Sequence, residues 1–287
     1  YGMSEGIFVP SDSVSLPGNL DFKNQYDFKY AKAEQDSDRT ADYSNMHWYD
    51  LSSTTLYFPL VYTPQTVGVA AAKLFTGNIY SICLTGRIFG YIFNVFMVCM
   101  AIKLMPFKKE LIFMTAMLPI YMQESVSLAG DSVENAMILV FIAYIFAMKY
   151  GGEKRKWPLF VMAPLIGLCK MFYLPLILLV FLIDEKMIMK ICIAAESLVL
   201  NALWLLSASG QPSHYNTGAD GSRQAAYICS DPFRYIGIIM NTSVLNARTW
   251  VRQAFGGNLG WIAVNVCMPF ILIYILIMFY TALCRSG

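Results

Sequence analysis

Charge is scarce in this sequence. Asp, Glu, Lys and Arg make up 14% of its 287 residues, where a soluble domain usually carries about 25%. That shortage excludes a conventional soluble surface. The two signs nearly cancel, with a formal net charge of +2, so no basic field is present to hold nucleic acid. Histidine is almost missing: His47 and His214 are the two present, and neither stands at metal-ligand spacing from another ligand type. No CxxC pair or Cys/His run occurs among the seven cysteines, which leaves no zinc site and no disulfide framework to propose. Cys83, Cys99, Cys169, Cys192, Cys267 and Cys284 lie in or beside apolar runs and read as small buried hydrophobes, while Cys229 sits in polar sequence. No metal site is assigned, and a divalent cation is neither required nor excluded. An internal repeat and a leading apolar span are also missing. The chain opens at Tyr1 and is expected to be a fragment lacking its N-terminal span.

What is present is apolar sequence. Hydrophobic residues reach 57% and mean hydropathy is +0.50, values that fit a chain threaded repeatedly through lipid. The fold class expected is an all-α integral membrane protein, a polytopic helical bundle of about seven spans, several of them short and in hairpins. Residues 1–53 form an acidic segment with little regular structure, expected to be an extracytoplasmic loop. Residues 54–78 hold Pro59 and Pro64 among aromatics, a pattern for a structured loop followed by an interfacial helix from Gln65 to Leu74. A transmembrane bundle is expected over 79–207, a second extracytoplasmic loop over 208–260, and a last transmembrane helix within 261–287. Lys103, Lys108 and Lys109, then Lys149, Lys154, Arg155 and Lys156, mark cytoplasmic ends by the positive-inside rule.

Ionisable residues inside apolar sequence are costly and therefore informative. Gln123–Asp131 separates the apolar runs Leu111–Met122 and Ala136–Met148, so it reads as the polar apex of a hairpin; its plain role is to cap the next helix. Arg87 interrupts the span Ile79–Leu104 and must snorkel or find an anion. Lys170 lies in the middle of Pro158–Ile183, which favours two short helices meeting there over one long span. Asn241-Thr242-Ser243 matches a glycosylation acceptor, a motif too short to carry weight.

The order of several short motifs resembles a bacterial family of multi-pass membrane proteins, domain of unknown function 2142. They are Tyr57-x-Pro59-Leu60-x-Tyr62-x-Pro64-Gln65, Gly86-Arg87, Ala101–Pro106, and Leu118-Pro119 followed by Gln123, Ser125, Ser127 and Asp131. Lys170-x-x-Tyr173-Leu174-Pro175 and Gly257-x-Leu259-Gly260-Trp261 complete the set. The family is similar to the type-C glycosyltransferases, which use polyprenyl-phosphate sugars. The resemblance implies that fold, a carrier lipid entering laterally, and a catalytic acid in the first outer loop.

On that basis Arg87 and Lys170 are expected to bind the lipid phosphate, Arg as a rigid fork and Lys as a point charge. Asp131 is the candidate catalytic base within this chain, although the main acid is expected in the first loop or upstream of Tyr1. Tyr57, Tyr62, Gln65, Gln123, Ser127, Tyr173 and Trp261 are the candidates for sugar or acceptor binding, with interfacial anchoring as the plainer role for the aromatics. The expected function is a membrane glycosyltransferase moving sugar from a polyprenyl-phosphate carrier to an envelope glycan. A lipid-linked sugar transporter and a non-catalytic scaffold of polysaccharide assembly are the alternatives. Expected partners are the lipid bilayer, the lipid-linked sugar and the glycan acceptor, with no nucleic acid. The expected location is the plasma membrane, large loops outside.

Overall fold

A computed structural model describes residues 6–10, 40, 44, 46–50, 57–208, 221–255 and 266–284. Within 1–53, expected to hold little regular structure, strands β1 (Gly6–Pro10) and β2 (Met46–Asp50) pair antiparallel, Ile7 opposite Tyr49 and Val9 opposite His47. A two-stranded pair satisfies backbone groups that loop sequence would leave to water.

The helical part starts with a short 3₁₀ turn, Pro59–Tyr62, leading directly into α1 (Thr63–Lys73). Helix α2 (Ile79–Leu104) follows, about 39 Å long at the usual rise per residue. Asn78 caps its start by accepting from the Ser81 amide at 2.8 Å, and Met105, held extended before Pro106, ends it. The helix runs unbroken through Arg87. Its inner stripe includes Gly86, Gly90 and Asn94, small and polar residues that let helices approach closely. A Cβ at Gly86 would lie 2.9 Å from Val69 Cγ2, and one at Gly68 would lie 2.8 Å from the Thr85 carbonyl, so α1 and α2 touch nearly backbone to backbone.

The expected single arm Leu111–Met122 is instead two helices, α3 (Lys109–Ala116) and α4 (Pro119–Ser125). Pro119 is the reason: it forces Leu118 to an extended conformation (ψ 136°) and has no amide to continue the first helix. Helix α5 (Asp131–Tyr150) then descends through the centre of the molecule. On one side it shares a core of Val98, Ala101, Ile112 and Ala143 with α2 and α3.

On its other side α5 meets α6 (Trp157–Cys169), a 12-residue 3₁₀ helix (Met171–Leu182) and α7 (Met187–Ala208), around Phe141, Leu159, Ile166, Val180 and Ile193. The chain breaks at Lys170, extended at φ −156° and ψ 118°, as expected for two short helices meeting there. Lys149 pairs with Asp184, and Lys156 with Glu185 at 2.6 Å. These pairs place the far end of the 3₁₀ helix beside the basic end of α5 and α6, so α6 and the 3₁₀ helix form a hairpin with Lys170 at its tip. The 3₁₀ form climbs about 2.0 Å per residue against 1.5 Å for an α-helix, which lets so short a strand of the hairpin return that far.

Beyond α7 the segment expected as a loop contains two helices, α8 (Gly221–Ser230) and α9 (Pro232–Ala254). An N-cap at Asp231, whose carboxylate accepts from the Arg234 amide at 3.0 Å, separates them. The last helix, α10 (Met268–Leu283), packs on α3, where Tyr274 donates to the Met114 carbonyl at 2.5 Å. Lys108 donates to the carbonyls of Thr281 and Cys284 at its end.

Among the described residues, three helices are long and apolar enough to cross a membrane: Ile79–Leu104, Asp131–Tyr150 and Met187–Ser207. Trp157–Cys169, Met171–Leu182 and Met268–Leu283 are shorter apolar helices. The described residues thus form a helical membrane protein with one small strand pair.

Candidate functional site

The two hairpin tips meet. Asp131 opens α5, Glu134 follows one turn later on the same face, and both reach the ammonium of Lys170 on the second tip. Lys170 Nζ donates to Asp131 Oδ1 at 3.1 Å and lies 3.5 Å from Glu134 Oε1. The partners differ in setting: Asp131 is 39% exposed, Lys170 35%, and Glu134 1%. Glu134 Oε1 has no hydrogen bond among the described residues, so Lys170 supplies the charge that offsets this buried oxygen. The Tyr173 hydroxyl interacts with the same carboxylate. The rings of Tyr57 and Tyr173 each stand 5.9 Å from the ammonium, near the outer limit for cation–π attraction.

Around this centre the apex is fixed in place. Buried Gln65, 3% exposed, donates to the Ala129 carbonyl at 3.2 Å and the Ser132 hydroxyl at 2.7 Å. Asn94 donates to the Ser132 carbonyl at 2.5 Å and the Tyr121 hydroxyl at 3.3 Å. A Cβ on Gly130 would sit 2.7 Å from Val61 Cγ2, so only glycine allows the apex to rest on the 3₁₀ turn. Glu124 accepts from Asn135 at 2.8 Å; burial first, and the charge of Asp131 second, raise its pKa above the ordinary carboxylate value. Burial, then Tyr57, also raise the pKa of the Tyr62 phenol, whose surroundings include Asp131 and Glu134.

Beside Lys170 is a cavity of about 290 Å³, lined by Tyr57, Phe172, Asn201, Trp204 and residues 167–170. Asn201 is anchored to the carbonyls of Pro164 and Ser197, at 3.2 and 2.8 Å. Trp204 meets Phe58 edge-on at 5.0 Å. A separate groove of about 700 Å³ runs between α1, α2, α5 and α6, lined by Pro64, Phe89, Phe96, Met137 and Met162. Its lining is almost wholly apolar.

An apolar bundle with charges gathered at one junction is the architecture of a membrane protein, and the sequence profile of a family described as predicted membrane protein (DUF2142) matches residues 5–286. The chain belongs to the DUF2142 family. No curated protein and no solved structure matches it.

In this DUF2142 chain the structure unites Asp131, Lys170, Tyr173, Tyr57 and Tyr62 at one place. Gln65 is also there; its Nε2 is engaged within the fold, while its buried Oε1 has no hydrogen bond among the described residues. Ser127 accepts from the Ala129 amide at 3.2 Å, a local turn contact, and Gln123 is half-buried on α4. Arg87 does not join them. Its neighbour Gly86 packs near Leu128 of the apex, so its height matches, yet its side chain is exposed and makes no ion pair among the described residues. Trp261 lies outside the described residues, and so does His214. No group of three or more His, Cys, Asp or Glu suited to a metal occurs among the described residues.

Sequence reading places Glu134 with Glu124 and Asp131 among the acids that are costly beside hydrocarbon, without giving it a site role, and it misses Asn201 and Trp204. For Glu134 a signal existed, the i, i+3 spacing from Asp131. Asn201 and Trp204 had none, because what matters is their packing against α6, which hydropathy cannot report.

Proposed function

We propose that this protein is a plasma-membrane glycosyltransferase that transfers a sugar from a polyprenyl-phosphate carrier to an envelope glycan or related acceptor. The observation that carries the reading is the half-exposed Asp131 carboxylate held on Lys170, a residue that itself lines an aromatic-rich cavity. The acceptor hydroxyl gives its proton to Asp131 as its oxygen bonds to the anomeric carbon. The bond from that carbon to the phosphate oxygen breaks, and the electron pair leaves on the lipid phosphate. Two carboxylates share one ammonium at rest, so the cluster is net negative and repels a phosphate. Protonation of Asp131 removes one of those charges, and Lys170 is then freer to stabilise the departing phosphate. Tyr57 and Trp204 offer faces for a sugar ring, and the apolar groove suits a lipid chain. The large loops lie outside the cell in this reading, and Arg87 contributes as a secondary anion contact at the lipid-facing surface.

The test is transfer from a synthetic polyprenyl-phosphate sugar by the full-length protein in liposomes. Asp131→Asn and Lys170→Ala are expected to lose turnover at least about a hundredfold, the usual scale for a general base. Wild-type turnover in both, or no transfer by the wild type, overturns the proposal. Lipid translocation without transfer would instead identify a transporter. A non-catalytic scaffold is the second reading, favoured by one fact: Lys170 is already salt-bridged to two residues of α5, as a packing clamp between the hairpin tips would be. It predicts loss of fold, not of chemistry alone, when the clamp is cut.

A further inference from the structure

Helix α9 has no buried residue along its 23-residue length, and among the described residues its one substantial neighbour is α8. Its sequence is strongly two-sided. Phe233, Ile236, Met240, Val244, Ala247 and Val251 recur at intervals of three or four, which places them on one face. That face is open: Phe233 is 84% exposed and Val244 72%. Arg234, Asn241, Arg248 and Arg252 occupy the other side, along with Ile238 and Leu245, two apolar exceptions. Trp250 falls at the border. The helix holds no acidic residue, since Asp231 is its cap and stands outside it.

Three arginines exclude α9 as a span, and it is not among the helices apolar enough to cross. The open stripe excludes an ordinary solvated helix. Pairing with a second copy is disfavoured by charge, because two such helices would set Arg234 and Arg248 of one against those of the other, and α9 itself contains no acid. Anionic phospholipid headgroups do answer them. Chain connectivity adds to this: the apolar helices α7 and α10 flank the segment on both sides, so α9 is tethered close to the bilayer.

We infer that α9 is an interfacial helix that lies flat on an anionic membrane surface, with its apolar stripe among the acyl chains and its arginines at the phosphates. The inference needs only the membrane character of the chain and is independent of the glycosyltransferase proposal.

The test uses the full chain in phosphatidylcholine nanodiscs with and without phosphatidylglycerol. Spin labels are placed singly at Met240→Cys, Ala247→Cys, Asn241→Cys and Thr249→Cys, in a background with native cysteines replaced by alanine. In the anionic discs, the ratio of oxygen to aqueous-nickel accessibility is expected to be roughly tenfold higher at 240 and 247 than at 241 and 249, as for a helix half-sunk in lipid. Arg234→Gln with Arg248→Gln, or high salt, is expected to shrink the difference between the two disc types. Equal water access at all four positions in both discs overturns the inference, as does label–label broadening that reports a second copy. Hydrogen exchange of the native chain needs no variant. It should slow several-fold across α9 in anionic relative to neutral discs, and an unchanged rate counts against the inference.

Discussion

Replacing Lys170 with methionine keeps the length of the side chain and removes the charge. Two carboxylates then lose their partner, and they are not equivalent. Asp131, at 39% exposure, turns to solvent at little cost. Glu134, at 1% exposure with Oε1 otherwise without a hydrogen bond, has no such escape. Stranding one charge of a fully buried pair costs about 3–5 kcal/mol; the half-exposed ammonium and its 3.5 Å separation from Glu134 reduce this. A loss of about 2–3 kcal/mol is the expected result. The assay is reversible unfolding of the purified protein in mixed micelles, run as a double-mutant cycle with Glu134→Gln. If the cost is the stranded charge, Lys170→Met with Glu134→Gln recovers more than half of it. A double variant no more stable than Lys170→Met alone, or a single variant as stable as wild type, would refute the account of Lys170 as the counter-charge of Glu134.

Three further outcomes follow from the packing and the ionisation around this junction. Gly167→Ala puts a Cβ 2.6 Å from Asn201 Nδ2 and 2.8 Å from Leu174 Cδ1, so overpacking of about 1–3 kcal/mol is expected as a lowered melting temperature. Glu124 has a folded-state pKa above its ordinary 4.5, through burial and then the Asp131 charge. The folded state therefore binds its proton more tightly than the unfolded state does. Its contribution to stability is full below pH 4.5 and is lost as pH rises through the raised value; Glu124→Gln should flatten that part of a melting-versus-pH curve. Lys108→Ala leaves the carbonyls of Thr281 and Cys284 without their donor. It should cost about 1–2 kcal/mol in unfolding and raise hydrogen exchange at the end of α10 first.

The legible parts of the sequence were those governed by local physics. Hydropathy marked α2, α5 and α7 as long apolar helices, and the charge of Lys170 within an apolar run marked the break that the structure shows. The consequences of Pro119 and the helices α8 and α9 were harder to see. The first needed proline's effect on Leu118 to be weighed above the continuity of the apolar run. The second was hidden because an amphipathic helix averages to neither apolar nor polar, and only its periodicity separates it from a loop. In the site, Asp131 and Lys170 were found as costly residues in apolar sequence, but Arg87 met the same criterion and stands apart. A residue's cost in lipid says that it needs a partner or a route to water. It does not say which.

Sequence alone determined that this is a helical membrane protein of the DUF2142 family, because lipid forces every crossing segment to be apolar and helically self-bonded, and those demands are written residue by residue. Only the tertiary structure decided that Lys170 answers Glu134 as well as Asp131 while Arg87 answers neither. Ion pairing depends on how two hairpin tips, 39 residues apart, come to rest against each other. That is a property of packed helices such as the α1–α2 contact at Gly68 and Gly86, and no local pattern of hydropathy contains it.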